Sequence, residues 1–437
     1  MVFTNVSNVV SKVDVNKISN MDLTHVLYIS YDGMTDPLGQ SQVLPYLSGL
    51  SKEGFKFHLI SFEKEEKYKI HREHIQAICD RDGIVWHPLK YTKKPPIISS
   101  VIDLIKMNNE SNKIIKNQLK TREPIKLVHA RGAYLTSLIA QKMKLKYNLR
   151  YIFDMRGFWA DERVEGGLWD IKKPHYKLIF NYFKKKELEF IQNSDCIITL
   201  TKSAEKIILN WELEKGIGNN FVKTIPCCAD LDHFKYDIIP LEETKKLKYK
   251  LNLKEEEIVI GYLGSIGTWY MLDEMLMFFS IATQNNNNLK LLFITNDEFE
   301  PIKTLVRSKN IDLNRIVFVS ATRKEVPTYL KLCDYSLFFI RPTFSKQGSS
   351  PVKHGECLGM GLSVICNSNI GDLDLISKES NLNFIIDLNN LQQSVLTFNF
   401  SKLKDEQRYQ NREIAIAHYD LIKGIEKYNS IYKSLIN

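Results

Sequence analysis

The chain has 437 residues, more than one hydrophobic core usually holds, so two domains are expected. Its 44% hydrophobic and 25% charged content is that of a globular protein, and no run approaches the ~18 apolar residues of a membrane span. The formal net charge of +9 permits attraction to phosphorylated ligands, nucleic acid or anionic lipid, and decides nothing about fold.

Residues 1–22 are polar, without the hydrophobic core of a signal segment, and read as a loose tail. A buried strand follows over 25–30 (HVLYIS), then a loop over 31–42 (YDGMTDPLGQSQ) and a helix from about residue 43. Strands over 55–62, 84–87, 127–130, 150–154 and 196–200 alternate with helices over 66–80, 99–120, 133–145, 172–193 and 203–212. Such βα alternation predicts a parallel, doubly wound sheet with ligands outside the carboxyl ends of its strands.

The pattern restarts with a strand over 223–226 and an irregular stretch, CCADLDHF, over 227–234. Polar residues run from 235 to 256. Strands over 258–263, 289–295, 316–320, 336–340, 363–366 and 384–387 then alternate with helices over 270–284, 300–308, 323–332 and about 351–359. Residues 404–436 read as one or two amphipathic helices. The expected division is a tail (1–22), a first domain (23–220), a second domain (221–403) and C-terminal helices (404–437), to which the resemblance given below adds the roles of acceptor side, nucleotide-sugar side and a crossing back to the first domain. The fold class is α/β, with two Rossmann-like doubly wound domains facing across a cleft.

The seven cysteines, at 79, 196, 227, 228, 333, 357 and 366, form no CxxC pair and lie mostly in apolar runs. They read as buried free thiols in a reducing cytoplasm, not as disulfides or metal ligands. The basic and aromatic stretch 172–186 (KKPHYKLIFNYFKKK) has the composition of an interfacial helix that touches anionic membrane, and equally of an amphipathic helix with snorkelling lysines. The basic patches lack base-stacking modules, so nucleic acid is not expected as a partner.

The most informative segment is 348–367, GSSPVKHGECLGMGLSVICN. Ser350 is expected to cap a helix with Pro351 at its first position, and free N–H groups there make an anion site. The macrodipole disfavours a cation in that first turn, yet Lys353 sits in it. A facing phosphate would offset the cost. Glu356, three residues on, can accept hydrogen bonds from ribose or sugar hydroxyls. The plain alternative is an i,i+3 surface pair. After strand 258–263, GSIGTWY offers Gly264 and Gly267 for close backbone approach to a diphosphate and Ser265 and Thr268 as hydroxyl donors. A tight turn is the simpler explanation of those glycines. Ser320 and Arg323 lie after strand 316–320 and can edge a base. Arg341, after strand 336–340, is a phosphate candidate, and Ser349, Ser350 and Val352 line the helix start. In the first half, Gly39, Gln40 and Ser41 sit in the early loop. Asp154 and Arg156 at a strand end are expected to point into the cleft, with Arg131 and Asp161 nearby to position an acceptor hydroxyl or take its proton. His129, within its strand, reads as a packed core histidine.

The pieces DPLGQSQVLPYL, DMRGFWADERVEGGLW, IPCCADLDHF, YLGSIGTWY and SSPVKHGECLGMGLSVI, in this order, resemble family 4 glycosyltransferases of the GT-B fold, particularly bacterial enzymes of surface-polysaccharide assembly. The resemblance runs from about residue 25 to 376. It implies transfer of a sugar from a nucleotide donor, UDP- or GDP-linked, to a glycan or lipid-linked acceptor, with retention at the anomeric carbon and no metal or other cofactor. Asp154, Arg156, Lys353 and Glu356 are the catalytic candidates, with Gln40, Arg131 and Asp161 on the acceptor side. The resemblance makes Glu356 the ribose ligand and Gly39 a diphosphate contact from the opposite domain. It places the enzyme in the cytoplasm, and the basic stretch adds a peripheral place on the inner membrane face. The chain departs from the pattern in three places. Gly348 stands where the family has the first of two glutamates, GSIGTWY lacks the usual Arg and Lys, and Cys228-Ala229 replaces a common Asn-Gly at the hinge. Two alternatives follow: an inactive GT-B chain kept as a binding partner, and a sugar-nucleotide epimerase.

Overall fold

The computed structural model describes residues 23–95, 97–216, 221–396 and 398–436; the expected tail 1–22 lies outside them. Seven strands form the first sheet: β1 (Thr24–Ser30), β2 (Phe55–Glu63), β3 (Val85–Lys90), β4 (Ile125–Arg131), β5 (Arg150–Asp154), β6 (Cys196–Thr199) and β7 (Phe221–Thr224). Six form the second: β8 (Ile258–Leu263), β9 (Leu289–Ile294), β10 (Ile316–Val319), β11 (Tyr335–Leu337), β12 (Ser363–Asn367) and β13 (Phe384–Ile386). Their orders are β3-β2-β1-β4-β5-β6-β7 and β10-β9-β8-β11-β12-β13, with parallel pairing throughout. Helices cover both faces, which is why β8 is buried at every residue and reads as an unbroken apolar run. The strand order reverses between β1 and β4 and between β8 and β11. Those switch points, at the carboxyl ends, are where such sheets bind ligands.

The strand expected to open the second half instead closes the first sheet, because β7 pairs with β6 from Cys196↔Phe221 to Thr199↔Thr224. Three short helices also sit where loops were expected. Pro37–Gln42 lies in the early loop. Trp159–Glu165 follows two residues with positive φ, Arg156 at 51° and Gly157 at 122°, which turn the chain sharply. Leu241–Lys250 is a charged surface helix that buries only Thr244.

The chain crosses between lobes near Ala229 and again near Asp420, and the crossings are tied together. Ala229 N–H donates to Tyr419 carbonyl at 2.7 Å, and Leu421 N–H to Ala229 carbonyl at 3.1 Å. The helix Asp405–Tyr419 packs on the second lobe against Val352–Gly359. The next helix, Leu421–Ile436, returns to the first lobe and inserts Tyr428, Ile431 and Tyr432 into its core.

The lobes also meet directly. Asp372 of the second lobe accepts from the N–H groups of Lys202 (2.7 Å) and Ser203 (3.1 Å), at the start of the helix Lys202–Lys215. Thr201, that helix's own cap, accepts from Ala204 N–H and donates to the Gln347 carbonyl of the second lobe at 2.6 Å. A helix end in one lobe is thus capped partly from the other, which stabilises the closed arrangement by roughly 0.5–2 kcal/mol.

Candidate functional site

The second lobe places its chemistry where β8 and β11 diverge. The helix Val352–Gly359 runs beneath this point and is almost wholly buried. Lys353 projects from its first turn toward Gly264, the residue just after β8, whose φ is +102°. A Cβ added at Gly264 would lie 3.4 Å from Lys353 Nζ, so glycine lets ammonium and backbone come together. The ammonium stands 3.7 Å from the Tyr270 ring centroid, 4.3 Å from Tyr262 and 5.9 Å from Phe338. Among the described residues Nζ is buried and has no hydrogen-bond partner. Burial pushes its pKa from 10.5 down to about 7. Cation–π contact recovers part of the lost hydration, but an unpaired buried ammonium remains costly. Such a group is preorganised to receive an anion.

Glu356, one turn on, accepts from Arg323 Nη1 at 3.0 Å. Arg323 also lies over the Phe234 ring, 5.3 Å from its centroid. Lys353, Glu356, Gly264 and Arg323 are therefore neighbours around one helix start, as a donor site requires. Ser350 departs from expectation. The helix begins at Val352 with Pro351 as its cap residue and no side-chain cap, while Ser350 Oγ accepts from the hinge Cys227 N–H at 3.2 Å. Ser349, beside it, donates its N–H to the Lys346 carbonyl.

Two expected hydroxyls are engaged elsewhere. Ser265 Oγ donates to Asp297, at 2.9 Å from each carboxylate oxygen, and Ile266 N–H donates to the same carboxylate. Ser320 Oγ is bonded to Asn296. Asn296 and Asp297, at the end of β9, thus shape the turns that were expected to meet ligand. A Cβ added at Gly267 would meet nothing within 4 Å, and Thr268 faces the gap between the lobes.

In the first lobe, Asp154 is corrected most strongly. It does not point into the crevice. Its carboxylate is fully buried, with Oδ2 accepting from Tyr428 O–H at 3.0 Å and lying 3.3 Å from His129 Nε2. Burial works to raise its pKa, but Arg156 and His129 together hold it below the usual carboxylate value. His129 is the core histidine expected, with Nδ1 2.6 Å from Tyr432 O–H. Arg156 does face the hinge, 3.2 Å from Cys227 Sγ and 3.5 Å from Gln42 Oε1. Gly39 has a packing reason: a Cβ there would fall 2.2 Å from the Gly33 carbonyl oxygen, inside the short helix Pro37–Gln42. Gln40 donates to the Thr35 carbonyl at 3.3 Å. Arg131 is buried and paired with Asp32 at 2.8 Å, at the β1/β4 switch point. Asp161 is paired with Lys184 at 2.8 Å.

The missing first glutamate has a steric account. A Cβ on Gly348 would meet Gly157 Cα at 3.0 Å and the Phe158 ring at 3.2 Å. The loop between β5 and Trp159–Glu165 fills the position that a side chain at 348 would take. Sequence reasoning also passed over the residues that join the lobes there. Lys346 Nζ donates to Glu162 at 2.6 Å and lies 3.6 Å from the Trp269 ring centroid, and Ser345 N–H donates to Glu165 at 3.0 Å. Arg341 belongs to this junction, 4.9 Å from the Trp269 centroid and 3.3 Å from the Glu165 carbonyl. Their only sequence signal was polar residues flanking aromatic ones. Among the described residues no group of three His, Cys, Asp or Glu could hold a metal ion, and no helix is long and apolar enough to cross a membrane.

No protein-family model matches the chain, and no curated protein matches it significantly in sequence. Solved structures do match its fold. A glycosyltransferase from Rickettsia africae ESF-5 aligns over 95% of this chain and 99% of its own, with TM-score 0.67 and 14% identity. Anabaena HepE, solved with UDP-glucose, aligns over 94% and 99%, with TM-score 0.61 and 12% identity. WaaG, a glycosyltransferase involved in lipopolysaccharide biosynthesis, aligns over 93% and 99%, with TM-score 0.59 and 15% identity. A Listeria monocytogenes protein described as a candidate UDP-N-acetylglucosamine 2-epimerase also aligns, over 95% and 96%, with TM-score 0.55 and 12% identity. The shared architecture is two facing Rossmann-like domains, the GT-B fold.

Proposed function

We propose that the chain is a glycosyltransferase moving a sugar from a nucleotide-sugar donor, UDP- or GDP-linked, to a glycan or lipid-linked acceptor in cell-surface polysaccharide synthesis. The observation that carries this is the buried, unpartnered ammonium of Lys353 at the β8/β11 switch point, beside Gly264 and one turn from Glu356. A diphosphate supplies the negative charge that this ammonium lacks and gains most from it as the leaving group develops charge. Glu356, oriented by Arg323, is placed to accept from ribose hydroxyls. Retention at the anomeric carbon, which the family resemblance suggests, and independence of metal belong to the same proposal; the latter rests on fixed cations and helix N–H groups taking the load on the diphosphate. Structures of this fold that are solved with UDP-sugars support the donor class.

Calorimetry on the Glu356→Ala variant tests the donor site. Donor affinity should fall by about tenfold or more, since a buried charge-assisted hydrogen bond contributes ~1.5–3 kcal/mol. Unchanged affinity would overturn the assignment. Turnover of a sugar nucleotide without any acceptor would favour the epimerase. Failure to turn over any of a broad set of sugar nucleotides, together with a tight protein partner, would favour an inactive subunit. Anomeric analysis of the product decides retention.

Peripheral attachment to the inner membrane face is part of the proposal. The helix Pro174–Asn193 exposes Leu178 and Tyr182 among lysines while burying Phe183 and Phe190. Sedimentation with anionic liposomes should be strong at low salt and decline as salt is added. Absence from liposomes at every ionic strength would exclude it.

A further inference from the structure

A cavity of about 300 Å³ opens between the lobes and is lined by Trp159, Glu162 and Arg163 from one side and Thr268 and Trp269 from the other. Both lobes contribute an indole. The approach is close: a Cβ on Gly166 would lie 2.9 Å from the Trp269 ring. Arg163 is the unusual member. Its guanidinium lies over Trp159, 4.6 Å from the ring centroid, and is largely buried. Its Nε has no hydrogen-bond partner among the described residues, and none of the ion pairs found there includes it. Glu162, the adjacent carboxylate, is already taken by Lys346 at 2.6 Å. A largely buried guanidinium whose Nε lacks a partner carries a cost that an anion entering the cavity relieves. Aromatic edges with a polar rim suit a pyranose, whose C–H groups pack against them while its substituents reach donors.

We propose that this cavity is a subsite for an acidic sugar unit, held between the two lobes' indole edges with its anionic group on Arg163. As a subsite for the acceptor it rests on the glycosyl-transfer reading; as a site for an acidic sugar it does not. The chemistry selects a carboxylate-bearing pyranose over its neutral counterpart. A carboxylate matches the planar guanidinium with two parallel hydrogen bonds, whereas a hydroxymethyl group leaves the charge unpaired.

The experiment is calorimetry on the full chain with methyl β-glucuronide, methyl β-glucoside and inorganic phosphate. The glucuronide should bind about tenfold or more tightly than the glucoside, and phosphate alone should bind more weakly than the glucuronide. Arg163→Gln should erase the preference, and Arg163→Lys should keep part of it. Trp269→Leu, in the other lobe, should weaken both sugars alike, which separates loss of packing from loss of charge recognition. Melting curves identify any variant that fails to fold, and the three substitutions, one of them in the second lobe, keep the test decisive. Equal binding of the two sugars, no binding of either, or a preference that survives Arg163→Gln overturns the subsite. Titration with UDP and GDP is read separately. A chain that ignores nucleotides but selects the glucuronide loses the proposed function and keeps this site, and the converse loses this site alone.

Discussion

Replacing Lys353 by methionine is expected to make the protein more stable and nearly inactive. The ammonium is buried without a hydrogen-bond partner, so the folded state bears its desolvation until an anion arrives. Methionine fills similar space and suits the ring surfaces of Tyr262 and Tyr270. Turnover should fall by about 10²–10³, the loss seen when one preorganised donor to developing charge is removed. The pH dependence has a definite sign. The folded-state pKa is about 7 against an ordinary 10.5, so between those values the unfolded chain holds a proton that the folded chain has released. Stability should therefore rise with pH across that window, and the rise should vanish in Lys353→Met. Urea midpoints at several pH values measure it. Donor binding near neutral pH should draw a proton onto Lys353, visible as a binding enthalpy that changes with the buffer's ionisation heat. A variant of unchanged stability with full turnover would remove the basis of the proposed function.

The second large effect is the reverse: Asp154→Ala should strongly destabilise the first lobe, not merely slow the chemistry. Its carboxylate sits at zero exposure between Tyr428, His129 and the Arg156 guanidinium, whose Nε is 4.0 Å from Oδ1. Deleting one partner of a buried charge pair costs about 3–5 kcal/mol because the other charge stays uncompensated. Denaturant unfolding should show a drop of that order. The carboxyl is held below its ordinary value, so its contribution is complete above the usual carboxylate range and is lost as the pH falls through its folded-state value. A catalytic base would give another pattern, with normal stability and a collapsed turnover number.

Much of this was open to reading because parallel strands buried on both faces leave apolar runs. The strand expected over 258–263 is β8 to the residue. Lys353 and Glu356 stood out as charges in an otherwise small and apolar helix. What escaped had identifiable causes. Seven residues, Trp159–Glu165, are too few to display a helical period. The pattern at 223–226 announces a strand but not the sheet that owns it. Asp154 was judged by its place at a strand end, whereas its partner Tyr428 lies 274 residues away. Arg163 and Trp269 acquire meaning only when two lobes meet. The closure that hides Gly348 behind Phe158 is equally a property of packing.

The last helix carries a consequence for how the molecule is made. Tyr428 and Tyr432 complete a hydrogen-bonded cluster with Asp154 and His129, and Ile425 fills the hollow beside Gly49. These residues leave the ribosome long after the strands they cover. The first lobe's strands must therefore wait, with an uncovered apolar flank, until this distant helix has been made, and only then can they reach their finished state.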